Sequence, residues 1–139
     1  MTRASPPFRV VELDHLVLRV SDLQAALGFY CDVLGCALER SLPELGLYQL
    51  RAGGQLIDIV PIGSELGGTA PRSEGANVDH FCLNVTPFDQ EALLAWLAAR
   101  GVSASTPARR YGAHGYGMSI YATDPDGNTV ELKSGEPVL

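Results

Sequence analysis

The chain is poor in positive charge. Ten lysines and arginines face sixteen aspartates and glutamates, for a formal net charge of −6 over 139 residues. A nucleic-acid-binding face needs a concentrated basic surface, so that class of function is excluded. No apolar run approaches the roughly 20 residues of a membrane-spanning helix. The opening segment, residues 1–9, holds two prolines and no apolar core, so it reads as a loose tail and not as a signal peptide. Cysteine is scarce: Cys31, Cys36 and Cys82 are odd in number and lack Cys-x-x-Cys spacing. Neither a disulfide framework nor a cysteine zinc site is expected, and reduced thiols in a cytoplasm are the simplest reading. No glycine-rich anion-binding loop is recognisable, so no nucleotide cofactor is expected. What remains is a single domain long enough to bury a core, with residues 10–139 as its body.

The most informative stretch lies near the C-terminus. Asp124-Pro125-Asp126-Gly127-Asn128 punctuates a tight turn, and Thr129–Lys133 follows as a strand. Side chains alternate faces along a strand, so Val130 and Leu132 point one way and Thr129, Glu131 and Lys133 the other. A weaker echo stands earlier, where Gly54-Gln55-Leu56-Ile57-Asp58-Ile59 has the same turn-then-strand form, with Asp58 in the place of Glu131.

The whole chain follows that echo. A first strand over Leu13–Val20 leads to Ser21, which opens a helix with Gln24 completing a capping-box pattern. Leu23, Ala26, Leu27, Tyr30, Val33 and Leu34 recur at helical spacing, and Gly35 ends the run. Strands around Ala37–Leu42, Leu47–Ala52 and Leu56–Pro61 complete a βαβββ unit over residues 10–62. Residues 63–77 have linker composition. The pattern then restarts over 78–135, with Asp79-His80-Phe81 matching Asp14-His15-Leu16. Thr86-Pro87 caps a second helix over Phe88–Arg100, whose buried stripe is Leu93, Trp96 and Leu97. Strands near Val102–Thr106 and Gly117–Thr123 lead into the final turn and strand. The histidines are 65 positions apart and the acids 73, which puts eight extra residues in the second half, assigned to the loop Ala108–Gly117. The fold class is α+β, two βαβββ repeats forming a mainly antiparallel, cup-shaped sheet with the helices outside.

The facing pattern carries the chemistry. Leu16, Leu18, Val20, Ile57, Ile59, Phe81, Leu83, Val85, Val130 and Leu132 share one apolar face. The opposite face collects His15, Asp58, His80 and Glu131, with Cys82, Asn84, Gln49 and Arg51 beside them. Two imidazoles and two carboxylates at equivalent repeat positions suit one divalent ion (Ni, Zn, Mn, Co or Fe) with water positions left open. If Asp58 is too short to reach, His15, His80 and Glu131 form the two-His-one-carboxylate set of non-haem iron oxygenases. Cys82 reads as a small apolar filler and His114 as an exposed loop residue. Arg109 and Arg110 are suited either to solvent or to an anionic substrate group.

At these residues the chain resembles the vicinal oxygen chelate superfamily, which holds glyoxalase I, methylmalonyl-CoA epimerase, extradiol dioxygenases, and bleomycin- and fosfomycin-resistance proteins. The carriers are Asp14-His15-Leu16-Val17-Leu18, Gly28-Phe29-Tyr30-Cys31-Asp32-Val33-Leu34-Gly35, Asp79-His80-Phe81 and Asp124-Pro125-Asp126-Gly127-Asn128-Thr129-Val130-Glu131-Leu132. The resemblance implies a homodimer, a small-molecule substrate, and a metal held by His15, Asp58, His80 and Glu131. It also implies lyase or isomerase chemistry of glyoxalase type through a metal-stabilised enediolate, with Glu131 or Asp58 moving the proton. The alternatives it leaves open are Fe(II) ring-cleaving dioxygenation and a metal-free ligand-sequestering cup of bleomycin-resistance type. Two departures stand out. Asp58 occupies a position that four-ligand members fill with Glu or Gln, and the short tail after Glu131 lacks the basic segment of fosfomycin-resistance proteins.

Overall fold

A computed structural model describes residues 12–69, 78 and 80–135. The expected tail at 1–9, most of the expected linker (70–77), and Asp79 lie outside the described residues. The first half runs β1 (His15–Val20), α1 (Leu23–Leu27) with a π-helical continuation over Gly28–Val33, β2 (Ala37–Leu42), β3 (Leu47–Ala52) and β4 (Gln55–Pro61). The second runs β5 (His80–Val85), α2 (Gln90–Ala99), β6 (Ala108–Gly112), β7 (Gly115–Thr123) and β8 (Thr129–Ser134). Each half is therefore βαβββ, as the sequence pattern predicts. The eight strands form two four-stranded mixed sheets, ordered β1-β4-β3-β2 and β5-β8-β7-β6. In both, the first strand of the repeat lies parallel to the fourth and the other two pairings are antiparallel.

Several local expectations are corrected. Asp22, not Ser21, caps α1, its carboxylate accepting from the Ala25 amide at 3.0 Å. Ser21 is drawn away by a tertiary partner, because its amide and hydroxyl both donate to Asp126 Oδ1, at 3.0 and 2.5 Å. Pro87 is not the first residue of α2; the cap is Asp89, which accepts from the Ala92 amide. Ala108–Gly117 is not an extra loop. Its residues build the β6–β7 hairpin, turned by Ala113-His114. The stretch expected as a strand near Val102–Thr106 holds only an isolated bridge from Ala104 to Ala122. Most of the extra chain lies there, since 100–107 connects α2 to β6 whereas 34–36 suffices in the first half. Trp96 is 44% exposed; its indole N–H donates to the Val33 carbonyl at 3.0 Å and the Arg100 guanidinium covers its ring.

The apolar faces of both sheets drain into one core. Leu18, Val20, Ile57 and Ile59 from the first sheet join Ile120, Ala122, Val130 and Leu132 from the second, with Ala26, Phe29, Tyr30 and Leu97 from the helices. One contiguous core stabilises a chain of this size better than two small ones, because apolar surface removed from water is worth about 25 cal/mol per Å². The two polar faces consequently turn outward from that core.

A hydrogen-bonded bridge joins the halves at the Asp124–Asn128 turn. Asp124, 5% exposed, accepts from the Asp126 amide (2.9 Å), the Asn128 amide (2.7 Å) and the Asn128 side chain (2.9 Å). It also accepts from the Tyr30 hydroxyl of the first half at 2.7 Å. Burial, and then the Asp124 charge, raises the Tyr30 pKa far above the usual phenol value, so the hydroxyl remains a donor. Tyr30 also stacks on Phe81 of β5, with ring centroids 6.4 Å apart. Removing the acceptor strands several buried donors at once. Asp124→Ala should therefore cost about 3–5 kcal/mol in urea unfolding, against about 1–2 kcal/mol for Tyr30→Phe. A loss below about 1 kcal/mol for the first would mean that backbone bonds alone hold the turn.

Candidate functional site

The sheet registers make the two polar faces equivalent. On β1 and β4, Val17 pairs with Asp58; on β5 and β8, Cys82 pairs with Glu131. Each histidine thus stands two residues before the strand partner of its acid, on the same face. Exposure agrees: the His15 and His80 side chains are 45% and 42% exposed, while Asp58 and Glu131 are 5% and 6% exposed. Each half-site is a buried carboxylate beside a half-exposed imidazole.

Their hydrogen bonding differs. In the second half-site His80 Nε2 lies 3.4 Å from Glu131 Oε1, and the buried Ser119 hydroxyl donates to Glu131 Oε2 at 2.6 Å. One carboxylate oxygen is anchored and the other faces the imidazole. In the first half-site the Gln49 side-chain amide donates to both Asp58 oxygens, at 3.2 and 3.3 Å. His15 Nδ1 is 2.7 Å from Asp14 Oδ2. That hydrogen bond raises the His15 pKa above the usual imidazole value; the Asp58 charge adds to the shift and partial desolvation opposes it.

The structure therefore brings His80 and Glu131 together, sets His15 and Asp58 in the same relation on the other sheet, and leaves the two pairs on separate faces. Among the described residues no three His, Cys, Asp or Glu side chains gather as one ligand set. Ser119 and Tyr121 escaped the sequence reading, although the alternation of β7 puts both on the face of Glu131. Tyr121 pairs with Glu131 across the ladder, and its ring meets that of His80 edge-on at 5.9 Å. Arg51 is committed to Glu39 at 2.7 Å. Lys133, two residues beyond Glu131, is buried and donates to the Gly115 carbonyl at 2.9 Å, which ties the β6–β7 hairpin to β8.

Cys82 is exposed as a residue, yet partial burial of its thiol, with the Glu131 charge next, pushes the pKa up to about 12. Folding favours the neutral thiol, so this contribution to stability is complete below the unfolded pKa of ~8.5. It is lost as pH rises toward about 12. In chelator-treated protein at pH 8.5, iodoacetamide should modify Cys82 at least about 100-fold more slowly than an unperturbed cysteine. Modification at the free-thiol rate, read by peptide mass spectrometry, would show an ionised Cys82.

The family model described as Glyoxalase/Bleomycin resistance protein/Dioxygenase superfamily matches residues 12–132. A virulence protein of Salmonella typhimurium is 33% identical over 121 residues, covering 86% of this chain and 81% of that protein. The mitochondrial methylmalonyl-CoA epimerase of Mus musculus is 27% identical over 138 residues, covering 94% and 76%. An integron cassette protein of V. cholerae, known from its solved structure, superposes with a TM-score of 0.74 at 29% identity, over 93% of this chain and 98% of that one.

Proposed function

The chain belongs to the Glyoxalase/Bleomycin resistance protein/Dioxygenase superfamily, and from that premise we propose a divalent-metal-dependent lyase or isomerase acting on a small substrate with vicinal oxygens. The observation that carries the proposal is the His80–Glu131 pair, repeated in register as His15 and Asp58. Two ligand atoms about 2.1 Å from a tetrahedral ion stand about 3.4 Å apart, so the 3.4 Å between His80 Nε2 and Glu131 Oε1 fits one edge of such a coordination sphere. The donor set fits as well, because imidazole nitrogen and carboxylate oxygen together suit Zn, Ni, Co, Mn or Fe. The epimerase relative supports the isomerase side of the reading.

In this proposal the metal centre is assembled between two copies of the chain. The polar faces turn outward from a shared core, and the described residues of one chain gather no three ligands. His15 and Asp58 of one protomer would meet the second half-site of its partner, giving a homodimer with two equivalent centres. The three free cysteines support a reducing cytoplasm as its location.

A bound divalent ion would supply Lewis-acid polarisation of the substrate oxygens. The protein would do the rest. Ser119 holds Glu131 Oε2 and so aims Oε1 at the ligand position beside His80; Glu131 would take a proton from the carbon beside the substrate carbonyl, and return it, only with Oε1 released from that position. Gln49 holds Asp58 in place for the same duty or as the fourth ligand. A second reading is favoured by the Gln49 amide, which engages both Asp58 oxygens; were Asp58 held back from the ion by it, His15, His80 and Glu131 would form a three-ligand Fe(II) set for dioxygenation.

Elemental mass spectrometry of protein purified without chelator should find about one metal equivalent per chain, lost in His80→Ala. Asp58→Ala should also lose metal if four ligands are used, and retain iron under the dioxygenase reading. Refolding His15→Ala together with His80→Ala should restore one metal per heterodimer, because one of its two shared centres is intact. No restoration would place each centre within one chain. No metal in the wild type, before or after reconstitution, would leave the ligand-sequestering cup.

A further inference from the structure

Arg110 is a cation that the proposed chemistry leaves unused. Arg109 and Arg110 are adjacent on β6, so alternation sends them to opposite faces. Arg109 lies on the reverse side, its guanidinium 3.8 Å from the Tyr116 ring centroid. Arg110 pairs with Gly117, and Gly117, Ser119 and Tyr121 alternate onto the face that carries Glu131. It is therefore on the site side. Its Nε donates to the Tyr121 hydroxyl at 3.2 Å, its Nη1 donates to the Arg109 carbonyl at 3.1 Å, and its guanidinium carbon is 6.0 Å from the Tyr121 ring centroid. Tyr121 in turn touches His80 by ring edge.

An exposed arginine is ordinarily paired with a carboxylate or left swinging in solvent. This one is neither. In a chain with net charge −6, no carboxylate among the described residues pairs with it, and two hydrogen bonds restrain it. Those bonds use Nε and Nη1 and leave Nη2 uncommitted. The Tyr121 oxygen accepts from Arg110, so its own O–H remains to be donated. Two donors thus lie together on the face of Glu131, linked to His80 through the Tyr121 ring and with no further acceptor among the described residues, an arrangement suited to a planar or tetrahedral oxyanion.

We propose that Arg110 and Tyr121 form an anion subsite adjoining the His80–Glu131 half-site, and that the substrate carries a carboxylate or phosphoryl group a few bonds from its vicinal oxygens. The subsite deepens the reading above and rests on it for the vicinal oxygens, not for the anion. It assigns Arg110 a specificity role: it selects for the charged end of the ligand and does no chemistry.

The test compares three probes sharing a glycolate unit by calorimetric titration of manganese-loaded protein. Glycolate has no further anion, tartronate adds a carboxylate, and 3-phosphoglycerate adds a phosphate while keeping the hydroxyl beside the carboxylate free. One of the two extended probes should bind the wild type about ten-fold tighter than glycolate or better, and which one does so distinguishes a carboxylate from a phosphoryl substrate. Arg110→Gln should abolish that advantage without changing glycolate binding. Arg110→Lys, which keeps the charge without the fork, and Tyr121→Phe should each reduce it in part. An advantage undiminished in Arg110→Gln overturns the subsite, as does the lack of any advantage in the wild type. An equal loss for glycolate overturns it too, because Arg110 would then support the fold of the site and not read the anion. Manganese uptake is followed separately by electron paramagnetic resonance. Protein that takes up none contradicts only the metal reading; in that case the Arg110-dependent gain for the charged probe is still expected without metal, and its absence there overturns the subsite.

Discussion

Asp124 is the group on which the rest of the structure depends. Its carboxylate is buried and accepts two backbone amides and a side-chain amide from its own turn, together with the Tyr30 hydroxyl from the other half of the chain. A buried carboxylate is tolerated only when its lone pairs are filled, so the turn and the helix must both be in place for either to be stable. The turn fixes the start of β8 and hence the face onto which Glu131 projects. The Tyr30 bond fixes where the first helix sits against the second sheet. Ser21 and Asp126 repeat the clamp a few residues away. Two sequence motifs that look independent, the Phe-Tyr helix end and the Asp-Pro-Asp-Gly-Asn turn, are thus the two sides of one contact.

The duplicated half-sites show how a repeat diverges without losing its geometry. Backbone register is retained to the residue, with each acid opposite the position two beyond its histidine. The side-chain partners have changed. Glu131 has one more methylene than Asp58, and it both takes the Ser119 hydroxyl and faces His80. Asp58 is held symmetrically by Gln49, and His15 turns to Asp14. The second half-site is also flanked by Tyr121 and Arg110, whereas Arg51 on the first sheet is neutralised by Glu39.

A shared core has a consequence for the outward faces. Because both sheets turn their apolar sides to one interior, their polar sides face away from it among the described residues, and the histidines there are half-exposed. The same scaffold serves unrelated reactions in this superfamily, so the ring of residues around the half-sites, and not the fold, carries the choice of chemistry.

Much of this was legible in the amino-acid order alone. Period-two alternation determined which side chains share a face, and the recurrence of histidine and acid at matching places determined that there are two βαβββ halves. Both are local properties, set by strand geometry within a few residues. Other features depended on contacts across the chain. Ser21 has the chemistry of a helix cap, but Asp126, 105 residues away, takes its hydroxyl and leaves the cap to Asp22. The stretch from Ala108 to Gly117 has loop composition but pairs as a hairpin, pinned by the buried Lys133. Whether His15 and Asp58 lie near His80 and Glu131 is set by how the two halves pack through Tyr30, Phe81 and Asp124. No local period encodes that arrangement, so only the tertiary structure decided it.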